Sequence, residues 1–285
     1  MKRVLKWAGY GLAGVVVFAL CVVAGGLAAS EAMLRWPAEA PPVRLISAQS
    51  PAAARGARIA RLNGCHDCHG ADLRGQLFHE DEMMRAWGPN LTLAAARQSD
   101  AELEAAIRHG VGADGRALWV MPSYAFSQLG DQEVADLIAY VRSFSPGGEV
   151  QPRLQVSPML RVGVLMGKFQ SEATLVRTRG PIILPDVGPG HAQGRRLARL
   201  CVECHGADLK GMELLKSPDL TVAAAYDREA FGKLLHEGLA AGDRKLDGLM
   251  GLVAKSRFSA LSDSEVTALH EYLKARAERE IAAAQ

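Results

Sequence analysis

The first thirty residues differ from the rest of the chain in their pattern of polar and apolar positions. Lys2, Arg3 and Lys6 precede an uncharged, mostly apolar run from Trp7 to Ser30. About 20 residues suffice for a helix to cross a bilayer, so this run predicts a single membrane span. Basic residues before the run hold the N-terminus in the cytoplasm and place everything from Glu31 onward on the exported side. Trp7 and Trp36 stand at the two ends, where indole rings favour the interface. A cleavable signal has the same charge layout but an apolar stretch of only about 7 to 15 residues. Ala28, Ala29 and Ser30 offer such a signal a cleavage site, so residues 1–36 are read as an anchor with cleavage as the alternative.

Past residue 51 the apolar positions follow a helical period. Ser50-Pro51 predicts the start of a helix that runs to Cys65. Ser99 with Glu102, and Ser262 with Glu265, form capping boxes ahead of Leu103 and Ile107 and of Val266, Leu269, Tyr272 and Leu273. Asp131 opens another helix with Val134, Leu137, Ile138 and Val141 on one face. No segment sustains the two-residue alternation of a strand, so the expected fold class is all-α. Residues 37–51, rich in Pro and Ala, predict an extended stalk. Residues 147–190 form a Pro- and Gly-rich connector, whose apolar stretch from Met159 to Phe169 is expected to lie across a domain surface.

The chain repeats itself. Cys65-His-Asp-Cys-His-Gly-Ala-Asp-Leu-Arg-Gly75 recurs as Cys201-Val-Glu-Cys-His-Gly-Ala-Asp-Leu-Lys-Gly211, a spacing of 136 residues and too long for a solenoid. Each motif is followed by a similar proline segment, Gly88-Pro-Asn-Leu-Thr92 or Ser217-Pro-Asp-Leu-Thr221, then by a helix, a Met-containing loop and a closing helix. Two tandem helical domains, 52–146 and 191–285, are predicted.

Two thiols three positions apart and a histidine directly after them match the attachment site of a c-type haem, in which Cys65 and Cys68, or Cys201 and Cys204, bond the haem vinyl groups. A zinc site would want a second cysteine pair at about 15 to 20 residues, and a redox dithiol would want a strand-and-helix scaffold. Neither is present in the sequence pattern. Cys21, inside the apolar run, is read as an inert membrane-helix residue. Composition adds two points. Aromatic residues are only 6% of the chain, leaving bulk for a prosthetic group to supply. The net charge of +2 gives no reason to invoke nucleic acid as a partner.

On these motifs, both halves resemble the class I cytochrome c family, and the likeness spans most of the chain from Ala52 to Leu273 apart from the connector. The resemblance implies two covalently bound haem c groups, with iron ligated by His69 and His205 on one side and by Met121 and Met250 on the other. It also implies that the carbonyls of Pro89 and Pro218 receive the imidazole protons. Met121, in Val120-Met-Pro-Ser-Tyr124, follows the family pattern. Met250, in Leu249-Met-Gly-Leu252, departs from it and precedes a segment about three residues longer than in the first copy. Rivals for the first iron are His79, Met83, Met84 and His109, and for the second Met212 and His236. His66 is expected to be a solvent-facing spacer, and Met159 and Met166 are read as packing residues. Trp87, Trp119 and Tyr124 either line the haem edge or fill core.

Iron with both axial positions filled favours electron transfer over catalysis. The resemblance thus implies a periplasmic carrier at the inner membrane. Its electrons would come from a dehydrogenase or quinol-oxidising complex and go to a soluble cytochrome or terminal oxidase. The alternative is a dihaem peroxidase or thiosulfate-oxidising enzyme with its catalytic centre at the second haem.

Overall fold

The structure is a computed structural model that describes residues 2–42, 46, 49 and 51–283. Helix α1 (Lys2–Leu34) is exposed along nearly its whole length, with Leu12, Phe18 and Val22 turned outward. By length and composition its segment Lys6–Leu34 can cross a membrane.

The chain does not swing free after α1. Trp119 Nε1 donates to Leu34 O at 3.2 Å, Ala38 N donates to Gly115 O at 2.9 Å, and Pro37 bridges Arg116. The first two residues of the predicted stalk are therefore bound to the first copy. The middle of that stalk, and the Ser50 cap, lie outside the described residues.

The first copy comprises α2 (Ala52–Leu62), α3 (Cys65–His69), β1 (Gln76–Glu80), β2 (Met84–Gly88), α4 (Leu91–Arg97), α5 (Asp100–Glu104) continuing into a wide turn over Ala105–His109, α6 (Ser123–Phe126) and α7 (Asp131–Arg142). Helix α2 opens at Ala52, so Pro51 sits at the capping position rather than in the first turn. The Ser99–Glu102 capping box forms as predicted, and Glu133 bonds the Gly130 amide at the start of α7.

β1 and β2 make an antiparallel hairpin that the sequence pattern conceals. A register irregularity between Leu77 and His79 breaks the two-residue alternation. The connector adds β3 (Gln155–Val156) to this hairpin and then forms α8 (Pro158–Leu165) and α9 (Glu172–Arg179). The apolar stretch predicted to cross a domain surface meets the first copy at Phe169, which packs on Trp119. Most of it is α8, which packs on α1.

The second copy comprises α10 (Ala192–Leu197), α11 (Val202–His205), α12 (Arg228–Glu237), the short pair β4 (Leu239–Ala240) and β5 (Arg244–Lys245), α13 (Leu249–Ser256) and α14 (Asp263–Ala283). The fold is thus all-α in class, with the hairpins as minor additions.

Each copy is held by one crossing of its first and last helices. A Cβ on Gly56 would overlap the Asp136 carbonyl, and one on Gly194 would overlap the Ala268 carbonyl. The backbones touch there, with Tyr140 and Tyr272 alongside. The first core gathers Leu103, Ile107, Phe126, Val134, Leu137 and Ile138. The second gathers Phe231, Leu235, Val266, Leu269, Tyr272 and Leu273, and it also takes in Leu62 from α2.

Candidate functional site

His69 and His205 close the short helices α3 and α11, directly after the second cysteine of each motif, and both are buried. His69 Nδ1 lies 2.9 Å from Pro89 O, and His205 Nδ1 lies 2.9 Å from Pro218 O. Both contacts are those the resemblance implied. A carbonyl only accepts, so each imidazole carries its proton on Nδ1 and leaves the Nε2 lone pair as a ligand. Burial pushes both imidazoles below the usual histidine range, the prolyl carbonyl opposing it only in part. They are neutral at pH 7, which is the ligating form.

The loop after each motif repeats closely. Gly75 N donates to His69 O and Gly211 N to His205 O, each at 2.8 Å. Leu73 and Leu209 both adopt positive φ and are fully buried, and their carbonyls receive Leu91 N and Leu220 N. These bonds tie the motif to the proline segment that holds the histidine. The two copies differ where that segment meets the cysteine turn. A side chain at Gly88 would overlap the Cys68 carbonyl, whereas Ser217 turns its hydroxyl to donate to Cys204 O at 2.5 Å.

The four thiols are half-buried. Burial pushes Cys65 up to about 12 and Cys68 to about 11, and Cys201 and Cys204 likewise to about 12 and about 11. Thiols so placed stay protonated at neutral pH, which disfavours a reactive dithiol. They fit cysteines destined for thioether bonds. Among the described residues no cluster of three His, Cys, Asp or Glu side chains converges as a bare metal site.

Met121 and Cys65 pack against the same buried cluster of the first copy, and Met250 and Cys201 against that of the second. Met121 stands in an irregular segment before α6, as predicted. Met250 does not lie in a loop but in the first turn of α13. The longer segment of the second copy is itself helical, because Leu249 to Ser256 lacks proline and buries Gly251, Val253 and Ala254. Of the rival ligands, His79 faces Asp81 at 3.1 Å and His109 faces Glu104 at 3.5 Å, while Met212 bridges Ser217. His236 lies on α12 with its buried Nε2 unbonded.

His66 is not the solvent-facing spacer expected. It is half-buried, 3.2 Å from Tyr140 Oη and edge-on to that ring, because α7 passes directly beside the cysteine turn. Trp119 spends its indole N–H on α1, and Arg85 covers the Trp87 ring at 5.2 Å.

Sequence reasoning missed the residue that joins the two motifs. Arg257, buried between the copies, places Nε 2.6 Å from Asp67 and Nη1 2.6 Å from Glu203. Those carboxylates occupy the same position of the two motifs, Cys-His-Asp-Cys and Cys-Val-Glu-Cys. Arg58 to Glu265 at 2.5 Å and Arg61 to Ser259 at 2.8 Å extend the joint. A signal in the sequence was the unmatched length after Met250.

Glu172, at the start of α9, accepts a hydrogen bond from Tyr124 N at 2.8 Å, three residues past Met121. Burial raises its carboxyl to about 7.

Comparison with known proteins agrees with this arrangement. The family described as cytochrome c matches residues 53–145 and 191–277. The fructose dehydrogenase cytochrome subunit of Gluconobacter japonicus is 25% identical over 264 residues, covering 80% of this chain and 53% of that protein. A nicotinate dehydrogenase subunit of Pseudomonas putida is 31% identical over 167 residues, 54% of this chain and 13% of that protein. The cytochrome c subunit of a quinone-dependent alcohol dehydrogenase from Gluconacetobacter polyoxogenes is 34% identical over 103 residues, 33% of this chain and 22% of that protein. The chain thus spans about half the length of the first of these relatives and less of the others. With two matched segments covering more than half of its length, each carrying near its start a Cys-x-x-Cys-His turn whose histidine is fixed by a prolyl carbonyl, the chain belongs to the cytochrome c family.

Proposed function

We propose that this chain is a membrane-anchored dihaem cytochrome that relays single electrons on the exported face of a bacterial inner membrane. In this reading Cys65 and Cys68 hold one haem and Cys201 and Cys204 the other. His69 and His205 are the proximal ligands, and Met121 and Met250 the distal ones. Haem iron ligated by histidine and methionine supplies one-electron chemistry at a raised potential, without an open coordination place.

What the protein's own residues do follows from the geometry. The Pro89 and Pro218 carbonyls hold each imidazole in the Nδ1–H tautomer and increase its basicity. The observation that carries the relay reading is the single guanidinium of Arg257 bound to both attachment motifs. One residue reaches both cysteine turns, and this closeness supports electron passage from one copy to the other. The similarity to cytochrome subunits of dehydrogenases supports a dehydrogenase as donor. A quinol-oxidising complex is the other candidate donor, and a soluble cytochrome or terminal oxidase the acceptor. Helix α1 supports attachment to the membrane.

Carbon monoxide binding to the ferrous protein tests the reading. With both methionines in place, binding is slow at both haems. Met121→Ala opens the first haem alone and Met250→Ala the second alone, each lowering that haem's potential. Rapid binding by the unaltered protein at one haem per chain, unchanged by Met250→Ala, would mean that Met250 is no ligand and that the second copy holds an open, catalytic iron.

A further inference from the structure

α8 exposes its apolar side chains. Met159 is 67% exposed, Val162 49%, Leu165 41% and Met166 66%, on a helix of eight residues and its capping turn. A helix in an aqueous connector is expected to turn such a face inward.

The neighbour of α8 explains what this face meets. Arg161 donates to Ser30 Oγ at 3.1 Å and pairs with Glu31 at 2.7 Å, and one turn later Leu165 Cδ1 is the nearest atom to Gly26, 3.8 Å from a Cβ placed there. Moving along α8 from Arg161 to Leu165 therefore moves back along α1 from Glu31 to Gly26. The two helices run antiparallel, and the C-terminal end of α8 points toward the interior of the apolar run.

From Ser30 to Gly26 is about 6 Å along a helix axis. An amphipathic helix at a bilayer surface sinks its apolar face about 5 to 10 Å into the headgroup and acyl boundary. Ser30, Glu31 and Arg161 mark the polar level, and Leu165 and Met166 lie one turn below it.

The backbone is suited to that depth. Met166 N, Gly167 N and Lys168 N donate back to the carbonyls of Val162, Val164 and Gly163, and Phe169 N also reaches Gly163 O. Of the last four carbonyls of the helix, those of Val162, Gly163 and Val164 are thus bonded within the turn. Lys168 directly follows, exposed and long enough to reach upward to the headgroups. Phe169 returns the chain to Trp119, whose indole N–H is held by the last turn of α1.

We propose that residues 158–168 form a second membrane element, a short wedge that dips into the exported leaflet beside α1 and docks the first copy on lipid. This rests on α1 being a membrane span, and the test separates the two. In full-length haem-loaded protein carrying Cys21→Ser, a nitroxide is placed by Met166→Cys, Val16→Cys or Ala96→Cys, and the protein is reconstituted in phosphatidylcholine vesicles. Collisional access of oxygen and of a water-soluble nickel chelate is read by spin resonance. Met166 is expected to show an oxygen-to-nickel ratio several-fold above that of Ala96, on the exposed side of α4, and below that of Val16 in mid-span. A nickel-accessible Met166 with a lipid-buried Val16 overturns the wedge and leaves the span. A nickel-accessible Val16 overturns both. A Met166 shielded from oxygen and nickel alike means that protein, a second copy or a partner, covers α8, and this also overturns the wedge.

Discussion

Leu73 and Leu209 adopt φ of 58° and 61°, a region that costs an L side chain about 1 to 2 kcal/mol. Both are fully buried, and burying a leucine contributes about 1.5 to 3 kcal/mol. Burial thus offsets the strain, and the turn brings Gly75 N and Gly211 N back to the histidine carbonyls. Leu73→Ala keeps the strain and loses the burial. We expect a loss of about 2 to 5 kcal/mol in denaturant unfolding of the first copy. Glu172 gives a second prediction. Its carboxyl rises in the folded state to about 7 from the unfolded 4.5, chiefly through burial. The neutral form is favoured by folding, so its contribution is complete below pH 4.5 and is lost as pH rises through 7. Glu172→Gln is therefore expected to raise the thermal midpoint at about pH 8 and to leave it nearly unchanged at about pH 4, as read by circular dichroism. At this scale the attachment residues were legible because covalent and ligand chemistry restricts both residue type and spacing. Arg257 and Glu172 were not, since their partners lie 190 and 48 residues away in sequence and no local pattern marks them.

Glycine decides how the long helices meet. Gly56 and Gly194 lie where α2 crosses α7 and α10 crosses α14, and even a methyl group at either site would overlap a facing carbonyl. Alanine has the higher helix propensity by about 1 kcal/mol, so an isolated-helix argument predicts that Gly56→Ala stabilises. The crossing reverses the sign. Gly56→Ala is expected to separate α2 from α7, lower the melting temperature of the first copy and loosen the His66–Tyr140 contact, checked by scanning calorimetry and by proteolysis within α7. The capping boxes at Ser99 and Ser262 were readable in advance because a cap is a local bond between side chain and backbone. The β1–β2 hairpin was hidden because its irregular register disrupts the alternation by which a strand is recognised. The α8 segment was seen as apolar, but its neighbour was misjudged, since nothing in the sequence reports that α1 passes beside it.

The buried Arg257 guanidinium joins the two copies through a carboxylate from each. Such a joint adds little net stability when compared with apolar packing, and because Asp67 is exposed and Glu203 half-buried, losing the guanidinium costs less than the roughly 3 to 5 kcal/mol of a fully buried pair. Arg257→Met is expected to split the unfolding of the protein into two transitions, one per copy, in scanning calorimetry. Adding Asp67→Asn and Glu203→Gln should restore a single transition in part. The joint also depends on two places where the copies differ in length. Ala60-Arg-Leu62 is followed by Asn63-Gly64 before its cysteine, whereas Ala198-Arg-Leu200 runs directly into Cys201. A side chain at Gly64 would overlap the Arg257 guanidinium, so the extra glycine is the notch that Arg257 occupies. Arg257 in turn belongs to the longer helical segment that follows Met250. The insertion in each half has value only when the other is present, so the duplicated halves are no longer interchangeable. A chain built from two copies of the first half would have two notches and no arginine to fill them, and one built from two copies of the second would have two arginines and no notch.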